Sequence, residues 1–272
     1  MLKVRILTVL LLLPLFLLAL FYSSPMGWAL FTLGVVLIGA YEWSKISAYT
    51  GIQCWLYVLL TLLIGLALLP DSSRSANNIL YGIAFLFWAI LVPLWLKNQW
   101  RSRQWLILAL VGWVVLIPTW LALVELRSIG PGLLLGLLAV VWVADTAAYF
   151  AGRKFGRHKL APAISPGKTW EGVAGAYLGV SLYALVWGMW DGTAVLFSSG
   201  LWLGVVLLWM LTLFSILGDL FESWMKRVAG IKDSGRILPG HGGMLDRIDA
   251  LTAAVPIAAF GLLLIKNFKV LS

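Results

Sequence analysis

Apolar positions in this chain fall in long runs separated by short charged or turn-rich breaks, with none of the two-residue alternation of a half-buried strand. A helix needs about 20 apolar residues to cross roughly 30 Å of hydrocarbon, and it satisfies its backbone N–H and C=O groups internally. Splitting the chain at its breaks predicts about nine membrane helices, near residues 4–22, 26–41, 54–70, 78–96, 104–124, 129–150, 172–190, 193–221 and 250–266. The break "WDGT" at 190–193 is tight, and the eighth run is long enough to project from the bilayer or bend. The predicted fold class is all-α and polytopic, a single membrane domain over residues 1–272.

Composition agrees with that pattern. Only 11% of residues are charged, 62% are hydrophobic and 16 are tryptophan, and the mean hydropathy of +0.97 lies outside the range of soluble domains. Lys3 and Arg5 ahead of the run Ile6 to Tyr22 have the form of a signal peptide. Tyr22, Ser23, Ser24 and Pro25 offer no small-residue cleavage site, so the run reads as an uncleaved anchor and the first span. Cys54 is the sole cysteine, which excludes an intrachain disulfide and a cysteine-based metal site and predicts a buried, inert thiol.

Charge then sets orientation. With the N-terminus inside, all of the 20 Lys and Arg except Arg74, Arg127, Lys266 and Lys269 fall in inner segments. The positive-inside rule therefore places the N-terminus and both long charged loops on the cytoplasmic side. Without an extramembrane domain, the net charge of +9 suits anionic membrane lipids and these loops, and nucleic acid is not expected as a partner. Of the 11 acidic residues, only Glu42, Asp71 and Glu125 precede residue 145. Residues 1–140 thus read as helical scaffold, 141–250 as the catalytic half with its loops, and 250–272 as the last helix and tail.

Three stretches carry candidate chemistry. Asp145 stands in the otherwise uncharged "LLAVVWVADTAAYF", where a charge costs about 2.5–3.5 kcal/mol and needs a partner such as Arg153, a polar cavity or the interface. In "SPGKTWEG", Pro166 and Gly167 predict a turn, with Lys168, Thr169 and Glu171 at the mouth of the next helix, whose free N–H groups favour phosphate. The G-x-x-x-x-G-K-[ST] spacing of a P-loop is absent. In "GDLFESWMKRVAGIKDSGRILPGHGGMLDRIDA", Asp219 and Glu222 are spaced i, i+3, as are Asp246 and Asp249. These acids bracket Lys226, Arg227, Lys232, Arg236 and "HGG". So many hard oxygen donors suit magnesium with substrate phosphates, and glycines admit phosphate close to the backbone. Local ion pairs from Asp219 to Arg227 and from Asp246 to Arg247, a capping role for Asp246 and a turn role for His241 are the plainer alternatives.

The segment "SWMKRVAGIKDSGRILPGHGGMLDRID" resembles the signature of the phosphatidate cytidylyltransferases, also called CDP-diacylglycerol synthases. It matches at Ser223, Lys226, Arg227, Lys232, Asp233, Leu238, Pro239, His241, Gly242, Gly243, Asp246, Arg247 and Asp249, and the likeness extends over about residues 140–250. The resemblance implies an enzyme that joins CTP and phosphatidic acid into CDP-diacylglycerol and pyrophosphate. It also implies magnesium at Asp219 and Asp246, leaves open a second metal or a monovalent cation, and allows a homodimer. Asp219, Asp246, Asp249, Lys226, Arg227 and Lys232 are then expected to be catalytic. Ser165, Lys168, Thr169, Ser223, Arg236, His241, Gly242, Gly243 and Arg247 are expected at the substrates. Asp145, Asp219, Glu222, Asp246 and Asp249 are the expected metal set.

Two other classes compete. An ion-coupled transporter would use Asp145 and Asp219 as carriers, but the charges cluster in loops. A noncatalytic lipid-binding protein would need the basic loops but not the acidic pairs. The D-G-x-x-A-R pattern of the CDP-alcohol phosphotransferases is absent.

Overall fold

The computed structural model describes residues 2–69, 74–190, 194–197 and 200–271. Its helices are α1 (Leu2–Tyr22), α2 (Pro25–Ile46), α3 (Ile52–Leu68), α4 (Arg74–Leu86), α5 (Val92–Asn98), α6 (Trp105–Ile129), α7 (Pro131–Phe155), α8 (Trp170–Met189), α9 (Ala194–Phe197), α10 (Leu201–Val228) and α11 (Leu245–Leu271). A single π turn, Phe87–Leu91, joins α4 to α5. Among the described residues seven helical segments are long and apolar enough to cross a membrane, and the apolar helices Ile6–Tyr22 and Ile52–Leu68 are shorter. The protein is α-helical and multi-pass. Residues 191–193 of the predicted "WDGT" break lie outside the described residues.

Local chemistry sets several boundaries. Ser24 caps α2, accepting from Gly27 N at 3.0 Å, and Pro25 takes the first helical position, where no N–H is needed. Instead of ending near 221, α10 runs to Val228, so Asp219 through Arg227 are helical. The region between α7 and α8 departs from the all-helix pattern as an antiparallel hairpin of β1 (Lys159–Ala161) and β2 (Ser165–Thr169). Its turn lies at residues 162–164, where Ile164 N donates to Ala161 O at 3.1 Å. Ile164 is buried, and this anchoring moves the turn ahead of the predicted Pro166 and Gly167, which instead lie in β2. A two-stranded sheet is all edge, so a proline there is tolerated.

Packing brings α7 against α8 and α10 against α11. Small residues permit the first contact: a Cβ on Gly175 would lie 2.3 Å from Ala151 Cβ, and one on Gly179 2.7 Å from Ala147 Cβ. Beneath the charged ends, the Phe221 ring lies 5.6–6.3 Å from the rings of Trp43, Phe87, Trp88 and Trp95. This aromatic cluster fixes α2 and the α4–α5 segment against α10. Cys54 is buried, with its thiol on Tyr49 O at 3.2 Å.

Candidate active site

The last turns of α10 carry Asp219, Glu222, Ser223 and Lys226 at helical spacing along one face. Opposite them, the first turns of α11 carry Asp246 and Asp249. The helices touch at this level because residue 218 has no side chain: a Cβ there would sit 2.6 Å from Asp249 O and 3.2 Å from Ala250 Cα.

Two lysines organise the carboxylates. Lys168 Nζ, delivered by β2, lies 2.8 Å from Asp219 Oδ2, while Ser223 Oγ donates to Asp219 Oδ1 at 3.2 Å. Asp145 is exposed on α7 and interacts electrostatically with both Asp219 and Lys168. Lys226 Nζ lies 2.6 Å from Asp246 Oδ1 and 3.1 Å from Glu222 Oε1, deep in the protein. Glu222 is 5% exposed, and its Oε2 has no hydrogen-bond partner among the described residues. Asp249 interacts electrostatically with members of both groups, Asp219, Lys168 and Lys226.

The loop between α10 and α11 folds over these acids. Asp246 Oδ2 accepts from Ser234 N and Gly243 N, both at 2.9 Å. Leu238 N donates to Gly242 O at 3.0 Å and His241 N to Leu238 O at 2.9 Å, closing a turn in which Gly242 adopts φ +82°. That left-handed backbone suits glycine. His241 Nδ1 is buried without a partner among the described residues. Thr8 Oγ1 of α1 donates to Pro239 O at 2.9 Å, tying the loop to the first helix. Lys232, Arg236 and Arg247 are exposed, as is Arg227, whose Nε approaches Ile164 O at 3.5 Å. The loop therefore rests on buried carboxylates and presents exposed cations outward.

The model of the cytidylyltransferase family matches residues 3–265. The chain belongs to the cytidylyltransferase family. It is 39% identical to the phosphatidate cytidylyltransferase of Pseudomonas aeruginosa, covering 95% of this chain and 96% of that one. It is 33% identical to the enzyme of that name from Haemophilus influenzae, covering 96% and 98%, and 37% identical to that from Brucella suis, covering 87% and 84%. This cytidylyltransferase-family chain is accordingly an enzyme of the nucleotidyltransferase class.

The residues singled out from the sequence divide in the cytidylyltransferase fold. Asp145, Lys168, Asp219, Glu222, Ser223, Lys226, Asp246 and Asp249 come together. Thr169, expected at the substrates, is buried and caps α8 by accepting from Gly172 N at 3.1 Å. Ser165 lies half-buried in β2 opposite Ala161. None of the local pairs Asp145–Arg153, Asp219–Arg227 and Asp246–Arg247 forms among the described residues; Arg153 instead meets Tyr149 Oη at 3.0 Å. No group of three or more His, Cys, Asp or Glu side chains among the described residues is placed to hold a metal ion between them. The expected five-carboxylate set is instead shared between Lys168 and Lys226.

One residue that sequence reasoning passed over enters the site from the first half. Glu42 of α2 is 3% exposed and accepts from Ser234 Oγ at 2.9 Å, Met244 N at 3.0 Å and Leu245 N at 2.8 Å. The cost of a charge beside apolar neighbours, applied to Asp145, applies also to Glu42, which follows the predicted span 26–41 directly and lies within α2.

Proposed function

We propose that the protein is a phosphatidate cytidylyltransferase, making CDP-diacylglycerol and pyrophosphate from CTP and phosphatidic acid. The observation that carries this reading is the Lys168–Asp219 contact of 2.8 Å, which joins two basic segments to one carboxylate cluster at the end of the apolar helices. A site for two phosphorylated substrates needs such an arrangement, because phosphoryl transfer is chiefly positioning and charge neutralisation.

In the reaction, an oxygen of the lipid phosphate attacks the α-phosphorus of CTP in line. The new P–O bond forms as the bond from the α-phosphorus to its bridging oxygen breaks, and pyrophosphate leaves with that electron pair. A phosphate monoester has a second pKa of about 6, so the nucleophile is already an anion at neutral pH and no strong general base is required. Lys232, Arg236, Arg247 and Arg227 are exposed cations suited to phosphates arriving from water. Lys168 and Lys226 balance the carboxylates beneath them.

Magnesium fits the donor chemistry: Asp219 and Asp246 offer hard oxygens, and such an ion commonly takes one or two carboxylates with phosphates and waters completing its shell. Held there, it would supply positive charge to the triphosphate oxygens. The charge asymmetry of the loops supports a cytoplasmic site, where CTP is dissolved, with acyl chains lying among the helices.

The test is transfer of label from CTP labelled at its α-phosphate into solvent-extracted lipid by the purified protein. Label in the lipid only when phosphatidic acid is present supports the assignment; label that stays with CTP throughout overturns it.

A further inference from the structure

Glu42 lies 203 residues before the last of its three partners, in the half expected to serve only as scaffold. Its carboxylate is buried yet forms no ion pair among the described residues. Its charge is met instead by donors at the start of α11. Leu245 N and Met244 N are among the amides that a helix beginning at Leu245 leaves without intrahelical acceptors, and a negative charge there is favoured by the helix dipole. The third donor, Ser234 Oγ, in turn accepts from Asp246 N at 3.3 Å, while Ser234 N donates to Asp246 Oδ2 at 2.9 Å.

We propose that Glu42 is a positioning residue for Asp246, clasping the signature loop onto the first turn of α11 so that the Asp246 carboxylate is held at the reaction site. This inference rests on the transferase reading of that site. Both oxygens of Glu42 are used, for three donors, so a carboxamide puts an N–H₂ against at least one N–H or O–H, and aspartate is one methylene too short. Two glycines of the loop leave space for this side chain. A Cβ on Gly235 would lie 2.2 Å from Glu42 Oε1, and one on Gly243 2.6 Å from Glu42 Oε2 and 2.0 Å from Ser234 Oγ. Those glycines are explained by the carboxylate they pack against. With Oδ2 of Asp246 fixed by two amides, its Oδ1 faces Lys226 at 2.6 Å. Loss of Glu42 frees Ser234 and the start of α11, and with them the orientation of Asp246.

The test compares wild type with Glu42→Gln, Ser234→Ala and the double variant, each purified folded in detergent. Two quantities are read: the magnesium dependence of pyrophosphate release, and the rate of tryptic cleavage at Lys232 and Arg236 without substrates. Removing a group that orients a metal-site ligand costs about 10–100-fold in metal affinity or activity. Glu42→Gln is expected to raise half-saturating magnesium by roughly 10-fold or more, with faster loop cleavage. The double variant is expected to be no worse than Glu42→Gln, because both substitutions break one network. Wild-type magnesium dependence in folded Glu42→Gln, or losses that multiply in the double variant, would overturn the proposal. If wild type releases no pyrophosphate, the transferase reading fails separately, and loop cleavage decides the clasp: an unchanged rate in Glu42→Gln refutes it.

Discussion

Lys168 Nζ lies 2.8 Å from Asp219 Oδ2, which ties the hairpin between α7 and α8 to the last turns of α10. The pair is partly exposed, at 24% and 32%, so its contribution to stability is small, about 0–1 kcal/mol. Lys168→Met is therefore expected to leave the melting temperature nearly unchanged while lowering turnover by roughly 10-fold to 100-fold, since on the proposed reading the lost cation balances and orients Asp219 at the reaction site. Thermal unfolding and steady-state kinetics on one preparation check both halves.

Lys226 stands in a different setting, between Glu222 and Asp246 in the interior. Lys226→Met leaves two carboxylates there without their cation, and breaking a buried pair in this way costs about 3–5 kcal/mol. The expected result is a large fall in melting temperature. Adding Glu222→Gln is expected to recover part of that stability without recovering turnover.

Gly218 and Gly34 give a paired test of helix packing. A Cβ at 218 overlaps Asp249 O, whereas one at 34 meets nothing within 4 Å. Gly218→Ala is expected to destabilise by about 1–3 kcal/mol, and Gly34→Ala to be neutral or stabilising by up to about 1 kcal/mol. Unfolding curves of the two variants, compared with wild type, read the difference.

Exposed cations on the signature loop predict a salt-sensitive encounter with CTP. The KM for CTP is expected to rise as ionic strength increases toward about 1 M, where screening shortens to about 3 Å. Arg236→Ala is expected to raise KM with little change in kcat, and a KM indifferent to salt would count against these residues as phosphate contacts.

Much of this arrangement is legible in the chain. Long apolar runs specify membrane helices because the bilayer imposes a length, and the i, i+3 spacing of Asp219 with Glu222 and of Asp246 with Asp249 places each pair on one helix face. Partners are harder to read. Asp219 meets Lys168 and not Arg227, and Asp246 meets Lys226 and not Arg247, because tertiary packing overrides sequence proximity. The hairpin was hidden because its strands are three and five residues long, with proline and glycine in the second. Glu42 was hidden because its donors lie on a loop and helix far along the chain, although its place at the very end of the apolar run 26–41 was itself a signal.

The most direct measurement is pyrophosphate release by the detergent-solubilised protein given CTP, phosphatidic acid and magnesium, alongside Asp219→Ala and Asp246→Ala. The expected result is release that requires both substrates and the metal, and that falls by roughly 100-fold or more in both variants while they remain folded. Folded wild-type protein that releases no pyrophosphate in a lipid environment, or variants that retain full activity, would contradict the assignment of these carboxylates to cytidylyl transfer.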